Sequence, residues 1–261
     1  MMRIEAVSAF RDNYIWTIRP SKQTDGQTNG CIVVDPGDAE PVLAWLQKNE
    51  CQLNAILITH HHWDHTNGID ELVAKYACPV YGPVSDKIPA ITHPVKGGDE
   101  LTLLGGALQL NVIECPGHTL DHIAYINAQY MFVGDTLFAA GCGRMFEGEA
   151  EQFYQSLQKL TAQPADCQVY CAHEYTAANL AFAAAVEPDN LAIQERQAQV
   201  AALRQQNLPT IPSELAVEFA TNPFLRCHLP SVTAAAEKRA GQRLNSAAEV
   251  FAVIRAWKDN Y

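Results

Sequence analysis

The chain has 261 residues, enough for one large domain or two smaller ones with a substantial core. Composition is that of an ordinary globular protein, and a net charge of −11 with a pI near 5.2 argues against a general nucleic-acid or anionic-membrane surface. No run of about 18 apolar residues predicts a membrane span, and residues 1–20 carry neither an apolar h-region nor an Arg- and Ser-rich presequence.

Eight cysteines (Cys31, Cys51, Cys78, Cys115, Cys142, Cys167, Cys171 and Cys227) stand singly, with no C-x-x-C pair. Free thiols in a reducing, cytoplasmic setting are expected. Cys115 and Cys171 neighbour candidate metal segments and are read as buried thiols.

Residues 2–19 show strand-like alternation, and 20–30 reads as a polar hairpin-type turn. A short buried strand at 31–34 ends in Asp35-Pro36-Gly37-Asp38. Asp38 caps a helix running to Lys48, with Pro41 in its first turn. A strand at 55–59 precedes a polar loop, a helix at 69–76 and a short strand at 79–81. Residues 82–98 form a looser, proline-punctuated stretch, where His93 reads as a solvent-facing loop residue. The pattern returns to β at 101. Apolar strands at 108–113, 130–133 and 167–170 follow. After Tyr175 helices take over: 177–186, a helix capped by Asp189 or Asn190, an extended linker at 208–212, and a helix at 231–240 stopped by Gly241. The last helix opens with the capping box Ser246-Ala247-Ala248-Glu249, and Val250, Phe251, Ile254 and Trp257 mark its buried stripe. Arg255 and Lys258 share a face beside that stripe. On charge grounds alone they form a solvated positive helix end.

One plan recurs: an apolar strand, then a metal-binding residue type just past its end. His60 and His62, His118, Asp135 and His173 all follow it. The densest case is Thr59-His60-His61-His62-Trp63-Asp64-His65. In an extended segment His60 and His62 leave on one side and His61 on the other. Asp64 and His65 fall where the chain turns into a helix. Imidazoles and carboxylates suit zinc, iron or manganese, and five imidazoles with two carboxylates exceed what one tetrahedral ion takes.

With His60-x-His62-x-Asp64-His65, Gly117-His118-Thr119, Gly134-Asp135-Thr136-Leu137-Phe138 and Cys171-Ala172-His173-Glu174-Tyr175 in view, the chain resembles the metallo-β-lactamase superfamily. Within it, the resemblance is to the glyoxalase II (hydroxyacylglutathione hydrolase) family. It also includes Asp12-Asn13-Tyr14, Val34-Asp35-Pro36-Gly37, Gly141-Cys142-Gly143-Arg144 and Asn222-Pro223-Phe224. It implies an α/β fold: an αββα sandwich over residues 1–173 as catalytic domain, then a smaller α-helical substrate-binding domain over 174–261.

The resemblance also implies two divalent metal ions per chain, zinc foremost, with iron or manganese fitting the same ligands. His60, His62 and His118 hold one; Asp64, His65 and His173 hold the other; Asp135 bridges them. Asp64 and Asp135 are then the catalytic carboxylates. Asp35 and His122 are expected to support ligands, and His61 to support the loop. The implied reaction is hydrolysis of S-D-lactoylglutathione and other 2-hydroxyacylglutathiones to glutathione and D-lactate, the second step of methylglyoxal detoxification. Hydroxide generated on the metals is the nucleophile. Arg144, Phe146, Tyr175, Arg255 and Lys258 meet the glutathione portion. Arg144 stands where many relatives have lysine, Phe146 where some have tyrosine, and Asp121 where glycine or serine is common. A cytoplasmic monomer without nucleic-acid or membrane partners is expected.

Three alternatives compete. A glutathione persulfide dioxygenase would use one iron on the same fold. A lactone or β-lactam hydrolase would lack the glutathione contacts. A non-catalytic metal module would not need seven ligands at strand ends.

Overall fold

The computed structural model describes residues 1–21 and 29–261, so most of the turn expected at 20–30 lies outside the described residues. The chain divides into two compact units. The first comprises residues 1–114, 121–127 and 132–134, and the second 115–120, 128–131 and 135–261.

In the first unit, β1 (Met2–Ala9) and β2 (Asn13–Pro20) form an antiparallel hairpin, so the alternation over 2–19 is two strands folded back on each other. β3 (Gly30–Val34) joins β2 antiparallel. The helix α1 (Ala39–Lys48) starts where expected, Asp38 accepting from the Glu40 N–H. β4 (Gln52–Leu57) then lies parallel to β3. It begins three residues before the expected strand, because Gln52, Leu53, Asn54 and Ala55 alternate exposed and buried against β3. After the short α2 (Trp63–Thr66) and α3 (Ile69–Tyr76), β5 (Val80–Pro83) and β6 (His93–Val95) extend the parallel arrangement. β6 is a strand within the looser stretch expected at 82–98, where His93 was expected as a loop residue. Pro94 is tolerated because β6 is the last strand of this sheet, and His93, although exposed, is a strand residue. The core of this sheet joins Val7, Ile15, Val33, Val42, Leu46, Ile56, Leu72 and Val80. Every residue of β3 is buried, as expected of an interior strand covered on both faces. β7 (Glu100–Leu103), β8 (Leu108–Glu114) and β9 (Ile123–Ile126) form an antiparallel meander, and residues 132–134 of β10 (Tyr130–Gly134) complete the unit.

The second unit opens its main segment with a small hairpin, β11 (Leu137–Phe138) and β12 (Gly141–Cys142). α4 (Ala150–Leu160) and β13 (Gln168–Cys171) follow. The tail is helical: α5 (Thr176–Val186), α6 (Leu191–Gln205), α7 (Leu215–Thr221), α8 (Pro230–Ala240) and α9 (Ala247–Asp259). One strand interrupts it. β14 (Ser213–Glu214) pairs antiparallel with β13, two residues being too short to leave a period in the sequence. Asn190, not Asp189, caps α6, and Gly241 ends α8 with φ 69°. Ser246 Oγ accepts from the Glu249 N–H, while the returning bond from Glu249 goes to the Asn245 N–H, one residue earlier than a standard box. Phe153, Phe182, Phe224 and Phe251 form an aromatic core with ring centroids 5.5–6.1 Å apart.

Candidate metal centre

In the first unit, four of the expected ligands come from the loop after β4 and from α2. His60 and His65 are buried at 0% and 1% exposure. His60 Nε2 and His62 Nδ1 lie 3.1 Å apart, so the two-residue spacing does bring these side chains to one point. His65 Nε2 lies 3.6 Å from Asp64 Oδ2. Donor atoms 2.0–2.1 Å from one tetrahedral ion sit roughly 3.3 Å from each other, so both pairs have the spacing of ligands sharing a metal.

The hydrogen bonds behind these rings decide which nitrogen is presented. Thr59 donates its hydroxyl to Asp35 Oδ2 at 2.7 Å, so its oxygen accepts from His60 Nδ1 at 3.0 Å. Asp35 Oδ2 also accepts from His65 Nδ1 at 3.0 Å, and Asp35 Oδ1 from the Thr59 N–H at 2.7 Å. Both rings are thereby assigned the Nδ1–H tautomer, leaving the Nε2 lone pair for a metal. Asp35 thus holds the His65 ring directly and the His60 ring through Thr59. His122 stacks on His60 at 4.7 Å, the packing role anticipated for it. Asn13 donates to Asp64 Oδ2 at 3.0 Å and fixes that carboxylate. Gly37 makes room for the loop: a Cβ there would lie 1.8 Å from the Asp64 carbonyl oxygen. His61 points elsewhere and pairs with Asp121 at 2.8 Å, so Asp121 helps hold the loop.

In the second unit, Asp135 is 7% exposed and stands between two buried imidazoles. Its Oδ2 lies 3.4 Å from His118 Nε2 and its Oδ1 3.4 Å from His173 Nε2. Each oxygen therefore has its own histidine at the spacing of a shared ion. His118 Nδ1 donates to the Arg144 carbonyl at 2.7 Å, again leaving Nε2 as the metal-facing atom. Neutral imidazoles with carboxylates form a donor set that fits divalent metal ions.

Of the expected substrate residues, Tyr175 and Phe146 touch the imidazoles of this half. Tyr175 stacks on His173 at 4.7 Å with the two ring planes nearly parallel, and Phe138 meets both rings edge-on. Phe146 is 59% exposed and lies edge-on to His118 at 5.3 Å. Arg144 is exposed, with Nε 3.3 Å from Asp259. Lys258 is half-buried, its ammonium over the Phe182 and Tyr261 rings, and burial followed by the charge of Arg255 lowers its pKa. Arg255 corrects the picture of a solvated helix end. It is 5% exposed and donates to the Cys142 carbonyl at 3.0 Å and the Gly143 carbonyl at 3.4 Å, because those carbonyls need donors. All eight cysteines are buried and outside any disulfide, and burial pushes the Cys171 thiol up to about 12 and the Cys142 thiol to about 11.

Thr59 was missed by sequence reasoning, since a threonine before a histidine run carries no signal of tautomer control. Asn13 belonged to a recognised motif, but its pairing with Asp64 spans 51 positions.

Residues 25–173 match the model described as metallo-beta-lactamase superfamily, and residues 174–261 match that described as hydroxyacylglutathione hydrolase C-terminus. A hydroxyacylglutathione hydrolase of Nitrosomonas europaea is 51% identical over 100% of this chain and 97% of its own. One from Pseudomonas fluorescens is 50% identical over the full length of both. Among solved structures, ETHE1 from Myxococcus xanthus is similar with a TM-score of 0.57 and 29% identity, over 67% of this chain and 76% of that one. Among the described residues, no helix is long and apolar enough to cross a membrane.

Proposed function

The chain belongs to the hydroxyacylglutathione hydrolase family of the metallo-β-lactamase superfamily, with its α/β fold and helical C-terminal region, and from that premise we propose how its residues perform the reaction. It is a thioester hydrolase that cleaves S-D-lactoylglutathione and related 2-hydroxyacylglutathiones to glutathione and the free acid. The metal-binding chemistry falls to residues 1–173 and the helical part of the substrate site to 174–261, with Arg144 and Phe146 reaching the substrate from the first, a reading supported by the two matched models meeting at that boundary.

The observation that carries the mechanism is Asp135, which presents one oxygen to His118 and the other to His173. A one-iron site has use for only one of them, so this geometry favours the hydrolase over the dioxygenase. His60, His62 and His118 would hold one ion, Asp64, His65 and His173 the other, and Asp135 both. Zinc is the ion proposed. When bound, such ions supply a Lewis acid and bring the pKa of water down towards neutrality.

The remaining work belongs to the chain. Asn13 keeps the Asp64 carboxylate oriented. Thr59, Asp35 and the Arg144 carbonyl hold three imidazoles in the tautomer that presents Nε2. The leaving group is a thiolate whose conjugate acid has a pKa of about 8.5, so no strong general acid is needed. Neither a cysteine nor a serine nucleophile is required, and the thiols beside the site are buried and protonated. Glutathione carries two carboxylates, which an acidic protein meets locally with Arg144, Arg255 and Lys258. Tyr175 offers a hydroxyl and Phe146 an apolar face. Release of free thiol from S-D-lactoylglutathione by the purified chain tests the reading; no release overturns it.

A further inference from the structure

The hairpin of β11 and β12 has a turn sequence that does not suit it. Its two loop residues are Ala139 and Ala140, and Ala140 has φ 54°, a left-handed conformation that disfavours any residue with a Cβ. Two-residue hairpin turns ordinarily place glycine or asparagine there. Local sequence therefore does not hold this turn, and side chains of the helical tail do.

Asn222, fully buried at the end of α7, donates its amide to the Phe138 carbonyl at 3.1 Å and the Gly141 carbonyl at 2.9 Å. Glu218, also fully buried, accepts from the Ala140 N–H at 2.8 Å and from Asn222 at 3.0 Å. Arg196 and Ser213 anchor its other oxygen at 2.7 and 2.8 Å. The polar backbone groups of the turn are thus bound by residues some 80 positions away.

Both ends of this hairpin bear on candidate metal ligands. Asp135 lies two residues before β11. Arg144 follows β12 by two residues, and its carbonyl sets the His118 tautomer. Between them, Gly143 runs so close that a Cβ would lie 2.0 Å from the Asp135 carbonyl oxygen and 2.9 Å from His118 Nδ1. A shift of the turn is therefore transmitted at its start to Asp135 and at its end to the group orienting His118.

We propose that Asn222 and Glu218 are positioning residues: by clamping the strained Phe138–Gly141 turn, they hold Asp135 and His118 in their metal-binding arrangement. The helical tail is then part of the scaffold of the metal centre as well as a surface for substrate. The proposal rests on the reading of Asp135 and His118 as ligands. It also gives the Asn222-Pro223-Phe224 motif a task.

The test compares Asn222→Ala with the wild type, both well below their unfolding midpoints, by zinc affinity in chelator competition and by kcat and KM for S-D-lactoylglutathione. Removing a group that orients a ligand typically weakens metal binding roughly 10- to 100-fold. A loss of that size is expected, with kcat falling more than KM changes. Adding Ala140→Gly, which relieves the left-handed alanine, is expected to recover part of both. Wild-type zinc affinity and kcat with only a lower midpoint would overturn the proposal and leave a merely structural clamp. If Asn222→Ala does not fold, Glu218→Gln is read the same way; it keeps the volume but turns an amide toward either Arg196 or the Ala140 N–H. A wild type that binds no zinc or cleaves no thioester would instead overturn the functional reading beneath the proposal.

Discussion

Asp35 accepts the Nδ1 proton of His65 at 3.0 Å while both side chains are all but sealed from water, at 4% and 1% exposure. The same carboxylate takes both donors of Thr59 at 2.7 Å each. A carboxylate serving three donors cannot be replaced by an amide without turning an N–H toward one of them. Asp35→Asn is therefore expected to weaken metal binding roughly 10- to 100-fold. Chelator competition checks it, and unchanged affinity would show that His65 needs no such partner.

Asp135 offers a sharper case, because its two oxygens face two histidines. Asp135→Ala is expected to abolish thioester hydrolysis and to reduce metal content in the same preparation. A fully loaded but inactive variant would remove the carboxylate from the ligand set.

Much of this was legible in the sequence, and the exceptions have physical causes. Strand-then-ligand spacing singled out His60, His62, His118, Asp135 and His173 as candidates, since a strand end delivers its next residues to a sheet edge, while Asp64 and His65 were read from the turn into a helix. The α1 cap at Asp38, the span of α3 and the stop at Gly241 were written locally in residue type. The helix α4 was not read although Phe153, Leu157 and Leu160 give it a local helical period; the other elements that escaped are non-local or too short to have a period. β6 hides behind Pro94, and β14 is two residues long. The tautomer control by Thr59 and the burial of Arg255 depend on partners 24 and 113 positions away.

Lys258 and Arg255 separate recognition from scaffolding. Lys258→Ala is expected to raise KM for glutathione thioesters about tenfold, the scale of one charged hydrogen bond, and to spare simple thioesters. Arg255→Ala should raise KM likewise, and also lower Tm, because its guanidinium serves the Cys142 and Gly143 carbonyls. Equal losses on both substrate types would count against a recognition role for either residue.

The ion pair of Arg196 and Glu218, 2.7 Å apart at 7% and 0% side-chain exposure, makes a stability prediction. Arg196→Met leaves a buried carboxylate without its cation, a change that costs about 3–5 kcal/mol. For a chain of this size that is a Tm drop of roughly 10 °C. A thermal scan that moves by a degree or two would mean that Ser213 and Asn222 satisfy Glu218 unaided.

Glu187 gives a pH signature. Burial pushes its carboxyl up, but hydrogen bonds from Arg226 and Ser231 outweigh that and leave it below its ordinary value of about 4.5. A depressed carboxyl contributes stability above its unfolded pKa and loses it as pH falls through the folded one. Glu187→Gln should therefore be less stable than wild type at neutral pH, with the gap narrowing below about pH 4.5. A gap independent of pH, in denaturant unfolding, would contradict this.

The most direct measurement is turnover of S-D-lactoylglutathione with metal content determined on the same sample. The account predicts release of glutathione and D-lactate by protein holding two divalent ions per chain. Protein that holds a single iron, leaves the thioester intact and consumes oxygen with glutathione persulfide would contradict it.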